Sequence, residues 1–354
     1  MTERLNAAVI GAGYWGPNLA RNLRSAVDWN LAAICDLDRG RATRVAENVG
    51  GAPVTTDVAD VLDDPLIDAV AIATPARTHH DLVCRALDAG KHVLVEKPLA
   101  DTRAAGAAMV SKADERGLVL MTDHTFCYTP AVQRIRDLIA DGALGEVLFV
   151  DSARINLGLI QPDVDVLWDL APHDLSILDY VLPGGLEVAT VAANGADPLG
   201  TGKACIGYLS LPLTGGAIAH VQVNWLSPTK VRRMVIGGTR RTLVWDDLNP
   251  QQRLSVYDRG VDLAQGSGSD AELRAAQVSY RVGDTWSPAL PEQEALGNVV
   301  VEFAAAIRGG RPARTDGNAG LRVLSVLDAA SRSLAGAGAP TPVQAADPER
   351  TGVA

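Results

Sequence analysis

Two short segments, far apart in the chain, carry side chains that can move protons. Lys97 follows an apolar run and stands between Glu96 and Pro98, and Asp169 and His173 lie four residues apart near the start of a helical pattern. Residues at this spacing share one face of a helix, so Asp169 and His173 can point into the same space. An imidazole can take the proton of an alcohol, and an ammonium group can stabilise charge that develops on its oxygen. These residue types suit proton transfer at an oxygen of a bound molecule.

Each of these residues also has an ordinary structural explanation. A lysine before a proline at a strand end is usually solvated, an aspartate such as Asp169 can cap a helix, and a histidine near a helix start is often a surface residue. The residues alone therefore leave a catalytic and a structural interpretation open. We expect no metal site, because the remaining histidines of interest have no carboxylate or cysteine partners at ligand spacing. These are His79, His80, His92 and His124.

A glycine-rich turn near the N-terminus predicts a dinucleotide site. Gly11, Gly13 and Gly16 form a G-x-G-x-x-G pattern with Tyr14 and Trp15 inside it, directly after an apolar run and before a helical pattern. The glycines let the backbone approach a pyrophosphate, and the N-terminus of the following helix supplies amides with a partial positive charge.

An acidic residue completes this pattern and indicates which dinucleotide binds. Asp36 ends the second predicted strand, 20 residues after Gly16. At this place a carboxylate accepts hydrogen bonds from the adenosine ribose hydroxyls and repels a 2′-phosphate. We therefore expect NAD as the cofactor rather than NADP.

The elements that must position these residues begin with a β–α alternation over the first 125 residues. The apolar runs are short and do not alternate with polar residues, which is typical of strands buried on both faces. This pattern predicts an α/β Rossmann domain with a parallel doubly wound sheet over residues 1–125. The predicted strands are Ala7–Ile10, Leu31–Cys35, Ala69–Ala73, His92–Val95 and Leu118–Met121.

From residue 126 onward, strand-like segments follow one another before helical patterns return at Gln293–Arg308 and Asn318–Leu334. This order predicts a second, α+β domain with a mostly antiparallel sheet over residues 126–354. Asp258–Asp270 is rich in Gly and Ser and is predicted to be a loop. The predicted strands are Glu146–Asn156, Glu187–Asn194, Ala204–Leu211, Gly216–Trp225, Val231–Gly237 and Arg241–Trp245.

The composition excludes several kinds of partner. The formal net charge of the 354 residues is −10, whereas a nucleic-acid binder needs a basic surface to displace counterions. The sequence has no apolar run of about 18 residues, so we expect no membrane span, and it has no pattern of a signal peptide. The four cysteines are widely spaced without a C-x-x-C pair, which indicates reduced thiols in a cytoplasmic protein.

These motifs together resemble the Gfo/Idh/MocA oxidoreductases over nearly the whole chain. The features that carry the resemblance are the glycine turn, Thr74-Pro75 with His79, Glu96-Lys97-Pro98 and the later Asp-x-x-x-His pair. The lysine in its Glu-Lys-Pro context and the later pair form a far more specific signature than the glycines. The resemblance therefore favours the catalytic interpretation.

The resemblance also implies an architecture and a set of cofactor contacts. It implies a large open sheet in the second domain, used for assembly into a homodimer or homotetramer, and a cleft between the domains that holds the nicotinamide against the substrate. By the same resemblance, Glu96 and Lys97 contact the nicotinamide side of the cofactor, and Thr74, Pro75 and His79 belong to the cofactor site.

We expect His173 to be the general acid/base, Asp169 to orient it or the substrate hydroxyl, and Lys97 to hydrogen-bond the reacting oxygen. Lys97 and His173 can also exchange these roles, with a lowered lysine pKa. The resemblance implies a small carbohydrate as the substrate. Its expected contacts are Lys97, Arg154, Asn156, Gln161, Trp168, Asp169 and His173.

Three segments look like family members that act on nucleotide-linked sugars and so narrow the substrate class: Gly13–Asn22, Asn224–Arg233 and Trp245–Asp247. Lys230, Arg232 and Arg233 form a dense basic cluster in this acidic chain. The cluster is a diphosphate clamp in one interpretation and a solvated strand end or subunit contact in the other. Two other functions stay open: a cyclitol or aminocyclitol dehydrogenase with the same catalytic residues, and a non-catalytic NAD-binding redox sensor.

Overall fold

The structure, a computed structural model, describes residues 3–161, 163–263 and 278–345. These residues form two sheets, one parallel and one mostly antiparallel, with helices packed against them. Among the described residues, no helix is long and apolar enough to cross a membrane.

The first sheet confirms the prediction of a parallel doubly wound fold. Its six strands in the described part of the chain are all parallel and run in the order β3-β2-β1-β4-β5-β6. The order reverses between β1 and β4, and ligands of such sheets bind at this point, beyond the carboxyl ends of the strands. The strands are β1 (Leu5–Ile10), β2 (Trp29–Cys35), β3 (Val54–Thr55), β4 (Ala69–Ile72), β5 (His92–Glu96) and β6 (Leu120–Asp123).

The helices of this region cover both faces of the sheet, which explains the continuous apolar character of its strands. All four residues of β4 are buried, for example. The two-residue strand β3 was not predicted, because so short a segment has no periodicity to detect. The helices are α1 (Gly16–Ser25), α2 (Arg39–Asn48), α3 (Ala59–Leu62), α4 (His79–Asp88) and α5 (Arg103–Arg116).

The second sheet has nine strands in the described residues, in the order β14-β13-β12-β11-β7-β10-β9-β8-β15. Only the pair of β7 and β10 is parallel, so the prediction of a mostly antiparallel sheet is confirmed. The strands are β7 (Val147–Leu157), β8 (Thr190–Ala196), β9 (Ile206–Pro212), β10 (Ile218–Asn224), β11 (Leu226–Gly238), β12 (Thr242–Asp246), β13 (Leu254–Leu263), β14 (Val278–Trp286) and β15 (Thr341–Pro342).

The predicted loop at Asp258–Asp270 is wrong in its first part. Residues 258–263 belong to β13, which pairs with β12 on one side and β14 on the other. Glycine and charged residues weaken strand propensity, but pairing on both sides overrides it. Residues 264–270 lie outside the described residues.

Helix α7 (Val166–Val181), which follows α6 (Pro130–Ala140), carries Asp169 and His173 on the inner face of the second sheet. The helix begins six residues before Pro172, because the Asp165 side chain caps it by accepting a hydrogen bond from the Trp168 amide at 3.0 Å. Pro172 therefore lies inside the helix, and the Asp169 and His173 side chains lie about one turn apart on it.

A helix from the C-terminal part of the chain packs against the first domain. Helix α8 (Ala295–Gly309) returns to the first domain, where Phe303 stacks on Trp29 at 5.4 Å and the Trp29 indole donates to Val300 O at 2.8 Å. The final helix, α9 (Gly317–Ala335), packs against both α5 and α7. The boundary between residues 125 and 126 stays a prediction, but α8 contributes to the core of the first domain.

Candidate active site

The glycine turn has the geometry of a dinucleotide cradle. Gly11 has φ of +101°, and a Cβ atom there would lie 2.6 Å from Ala73 O. A Cβ atom at Gly16 would lie 1.9 Å from Gly11 O, whereas one at Gly13 would meet no atom within 4 Å. Gly11 and Gly16 therefore close the turn, and the open side at Gly13 leaves room for a ligand. No side chain caps α1. Pro17 has no N–H and the Asn18 amide donates to Trp15 O at 2.9 Å, so of the first three residues of the helix Gly16 supplies the amide for an anion.

Asp36 stabilises the backbone of this turn. Its Oδ2 accepts the Ala12 amide at 2.7 Å and its Oδ1 accepts the Asp38 amide at 2.8 Å. A carboxylate has about four acceptor positions, so Asp36 fixes the turn and can still accept ribose hydroxyls. Arg41 lies 3.8 Å from Asp36 and 3.2 Å from Asp38, and these carboxylates partly compensate its charge.

Thr74 and Pro75 follow β4 at the carboxyl edge of the sheet, as their predicted cofactor role requires. His79, in contrast, is fully buried, and its ring nitrogens lie 2.9 Å from Thr74 O and 3.0 Å from Pro98 O. Burial lowers the pKa of His79. The structure thus gives the His79 ring other partners than a cofactor: it connects the loop after β4 with the segment that follows Lys97.

Lys97, which follows β5, contacts Asp169 on α7, although 72 residues separate them in the chain. The Lys97 ammonium donates to Asp169 O at 2.9 Å and to Asp169 Oδ1 at 3.2 Å. Each side chain keeps 20% of its surface exposed, so the pair is accessible to a ligand. The Lys97–Pro98 peptide bond is cis.

Trp225 was missed as a functional candidate by the sequence analysis. This buried side chain donates its indole N–H to Asp169 Oδ2 at 3.0 Å, so Asp169 is held from two sides, by Lys97 and by Trp225. A tryptophan after a strand has no local signal for this role. Its partner lies on another element and is identified only by the packing of α7 on the sheet.

His173 lies beside this pair in a neutral form. Its Nδ1 is buried and has no hydrogen-bond partner among the described residues. Burial lowers the pKa of His173 well below its usual value, and the charges of Lys97, Arg154 and Arg232 lower it further. Neutral imidazole is the form that can accept a proton.

Glu96 and Asp123 form a buried carboxyl pair beneath Lys97. They lie side by side on β5 and β6, and burial and the nearby Asp123 carboxylate raise the pKa of Glu96 well above its usual value. Burial also raises the pKa of Asp123, but less than that of Glu96, because Asp123 accepts the Trp15 indole N–H at 3.2 Å and the Thr125 hydroxyl at 2.8 Å, which favour its ionised form. Glu96 therefore carries the proton, and Asp123 connects the glycine turn to the neighbourhood of Lys97.

His124 follows this pair and was assigned no role in the sequence analysis. It is buried, and neither ring nitrogen has a hydrogen-bond partner among the described residues. Burial and the Lys97 charge lower the pKa of His124 to about 3. A buried, neutral histidine at this position adds no positive charge next to Lys97.

The predicted substrate contacts separate into two groups. Arg154 and Asn156 line a small cavity together with His173. Gln161 lies half-buried in the loop after β7 and does not line this cavity. The Trp168 indole donates to Ser331 Oγ at 2.8 Å, so the structure gives it a packing role against α9.

Comparison with known proteins agrees with this geometry. Residues 5–124 match the oxidoreductase family with an NAD-binding Rossmann fold, and residues 132–244 match the Gfo/Idh/MocA C-terminal domain. A UDP-N-acetylglucosamine 3-dehydrogenase of Acidithiobacillus ferrooxidans is 30% identical over 91% of this chain and 94% of its own length. The chain belongs to the Gfo/Idh/MocA oxidoreductase family. The resemblance stated from the motifs is thereby confirmed.

Two further family members resemble the chain over most of its length. The NAD⁺-dependent scyllo-inositol 2-dehydrogenase of Bacillus subtilis is 29% identical over 89% of this chain and 98% of its own. The structure of GenD2 from gentamicin A biosynthesis, in complex with NAD, has a TM-score of 0.80 at 27% identity and covers 98% of both chains.

NAD is the cofactor of the present protein. The glycine turn, the uncapped α1 and Asp36 fit this cofactor. The protein is an oxidoreductase of the group that acts on sugar and cyclitol hydroxyl groups.

Proposed function

We propose that this protein oxidises a secondary alcohol carbon of a nucleotide-linked sugar, or reduces the corresponding ketone, at the cleft beside Lys97. The observation that carries the proposal is the meeting of Lys97, Asp169 and His173 next to a glycine turn built for NAD. When bound, NAD⁺ supplies the acceptor for the hydride that leaves the substrate carbon.

His173 is the proposed general base. The substrate carbon gives up a hydride, which is one proton with two electrons, while the hydroxyl proton passes to the imidazole and a C=O bond forms. One proton then remains on His173. The unpaired ring position and the neutral form of His173 support this role.

Lys97 is proposed to donate a hydrogen bond to the reacting oxygen. Its ammonium has three donors, and Asp169 O and Oδ1 use two of them at 2.9 and 3.2 Å. The Asp169–Trp225 contact fixes the direction of Lys97, and such preorganised donors stabilise the charge that develops on the oxygen.

The cyclitol alternative is carried by a specific comparison, the similarity to an inositol 2-dehydrogenase over nearly equal length. The same three catalytic side chains would serve a cyclitol. A nucleotide-linked sugar is favoured because the cavity beside His173 is lined by Lys230 and Arg232, and an uncharged cyclitol has no group for these cations.

We also propose that the protein assembles into a homodimer or homotetramer through the outer face of its second sheet. Tyr208 and Ile218 lie on this face and are 49% and 38% exposed. Exposed apolar side chains on a broad sheet face are typical of a contact surface. The four free cysteines support the proposal of a cytoplasmic location.

The test is NADH formation with a substrate panel. Purified protein is incubated with NAD⁺ and UDP- or dTDP-linked sugars, inositols or free aldoses, and NADH absorbance is followed for wild type, Lys97→Ala and Lys112→Ala. We expect NADH with a nucleotide-linked sugar, a loss of kcat of about 100-fold or more in Lys97→Ala, and no change in Lys112→Ala, since Lys112 pairs with Asp88 on the surface.

Each other result changes the assignment. NADH formed only from inositols would establish the cyclitol alternative. NAD binding without turnover in either direction, with the keto compounds and NADH also tested, would establish the redox-sensor alternative. Full activity in Lys97→Ala would remove Lys97 from the mechanism.

A further inference from the structure

A small cavity of about 50 Å³ opens beside His173. It lies between α7 and the adjacent strands β7 and β11, where β11 bulges: four residues, 227–230, intervene between the pairs Leu226–Leu157 and Val231–Ile155. The bulge brings Lys230 to the rim. The lining residues are Arg154, Ile155, Asn156, Leu170, His173, Lys230, Val231 and Arg232.

The register of β7 and β11 places two like charges side by side. Arg154 and Arg232 are direct partners across the antiparallel pair, an arrangement that is unfavourable unless anions compensate it. Asp174 compensates Arg154 with two contacts, at 2.7 and 3.1 Å, in a fully buried pair. Arg232 has one carboxylate contact, 3.3 Å to Asp247 Oδ2, and its guanidinium lies 5.6 Å from the centre of the Phe126 ring.

Lys230 leaves the cavity with an excess of positive charge. Within residues 3–161, 163–263 and 278–345, no carboxylate forms an ion pair with Lys230, and its side chain is exposed. The cavity thus has three cations and two compensating carboxylates. Arg233, the third member of the basic cluster, points to the other face of β11 and does not line the cavity.

We propose that this cavity is an oxyanion-binding subsite, in which Arg232 and Lys230 hold a phosphate or carboxylate group of the substrate next to His173. The inference rests on the proposed function, because it assigns the charged group of that substrate to a place. The bound group also affects the proton transfer: an anion in the cavity offsets the positive field around the imidazole and makes His173 a stronger base.

The direction of this effect follows from the charges that surround His173. The cations lower its pKa, so that a bound anion, which stabilises the imidazolium, raises it toward the usual value. An uncharged sugar has no such effect, and the subsite therefore selects for anionic substrates in turnover as well as in binding. The ionisable groups around the ring are Lys97 after β5, His124 after β6, Arg154 on β7, Lys230 and Arg232 on β11, and Asp169 and Asp174 on α7.

The experiment uses inorganic phosphate, and separately acetate, as probes on the NAD⁺-saturated protein at constant ionic strength. Saturation with NAD⁺ keeps the probes away from the glycine turn. Binding is measured by calorimetry, and the His173 titration midpoint by NMR of ¹⁵N-histidine protein, with the signal assigned through His173→Gln. We expect saturable phosphate or acetate binding and a rise of the midpoint by about one pH unit.

The variants separate the subsite from general surface charge. Arg232→Gln is expected to weaken probe binding about tenfold or more and to remove the midpoint shift, and the exposed Lys230→Gln is expected to weaken binding without risk to the fold. Arg233→Gln is the matched control and is expected to change neither quantity.

Phosphate binding alone assigns the subsite to a phosphate group, and acetate binding alone assigns it to a carboxylate. Binding of neither probe, or an equal loss in Arg233→Gln and Arg232→Gln, overturns the proposal. NADH formation from sugars is scored independently: its absence with phosphate binding intact would overturn the proposed function and leave the subsite standing.

Discussion

The charge states of the buried side chains around Lys97 follow from burial and from their partners. Burial and the neighbouring Asp123 carboxyl raise the pKa of Glu96, two other donors favour the ionised form of Asp123, and burial holds His124 and His173 neutral. Lys97 and Asp169 are consequently the charged pair at the cleft surface. This distribution places the cation where the substrate oxygen must bind and leaves the imidazole ready to accept a proton.

Neutral burial of His124 predicts a loss of stability in mild acid. Its pKa is about 3 in the folded protein and about 6.5 in the unfolded chain, so below pH 6.5 the unfolded chain binds the extra proton and is favoured. The contribution is present above pH 6.5 and is lost as the pH falls toward 3. From pH 7.0 to 5.5 it amounts to about 1 kcal/mol.

Urea unfolding at the two pH values measures this effect. His124→Gln is expected to show a difference between pH 7.0 and 5.5 that is smaller than that of wild type by about 1 kcal/mol. His80→Gln is the control, because His80 is exposed and is expected to leave the difference unchanged. Equal differences in all three proteins would show that His124 is protonated in the fold.

In the glycine turn, different glycines are needed for the conformation of the loop and for the binding of a ligand. Gly11 and Gly16 face backbone atoms at distances that no Cβ tolerates, whereas Gly13 faces open space. Gly11 and Gly16 are therefore required to form the turn. Gly13 is required only when a ligand lies against it.

This difference predicts opposite outcomes for two similar substitutions. Gly16→Ala forces a Cβ against Gly11 O and is expected to lower the Tm of the NAD-free protein by about 5 °C or more. Gly13→Ala is expected to leave that Tm unchanged and to raise the Kd for NAD about tenfold or more, since its methyl group occupies the ligand side.

Thermal unfolding without NAD and calorimetric titration with NAD provide the two readouts. Unchanged NAD affinity in Gly13→Ala would contradict the assignment of its open side to the pyrophosphate. An unchanged Tm in Gly16→Ala would contradict the packing of the turn.

Most of the elements and their class could be predicted from the sequence, because buried parallel strands, a glycine turn and helical periodicity are local patterns. The strands β3, β13, β14 and β15 could not. β3 and β15 are two residues long, and β13 and β14 depend on pairing with each other.

The molecule as a whole presents a broad sheet whose inner face is covered by α7 and α9 and whose outer face is not covered by the described residues of the same chain. The inner face is continuous with the main hydrophobic core. The outer face carries Tyr208 and Ile218 among polar side chains such as Asp151 and His220. The proposed assembly through this face would remove its apolar surface from water.

Ile218→Asp is the corresponding test. A carboxylate in the contact would be desolvated without a partner, which is expected to shift wild-type dimers or tetramers to monomers. Leu66→Asp is the control, since Leu66 is 73% exposed on the first domain, away from the sheet. Sedimentation velocity at micromolar concentration measures both. A monomeric wild type would contradict the proposed assembly.

The sequence by itself determined the family motifs: the glycine turn, Asp36, Lys97 after a buried strand, and Asp169 and His173 on one helix. Each depends on spacing along a few neighbouring residues. Only the tertiary structure decided that Asp123 lies beside Glu96, that Trp225 holds Asp169, and that Arg232 rather than Arg233 faces His173. These contacts depend on strand register and helix packing between segments far apart in the chain, and a shift of register by one residue would reverse which side chains face the site.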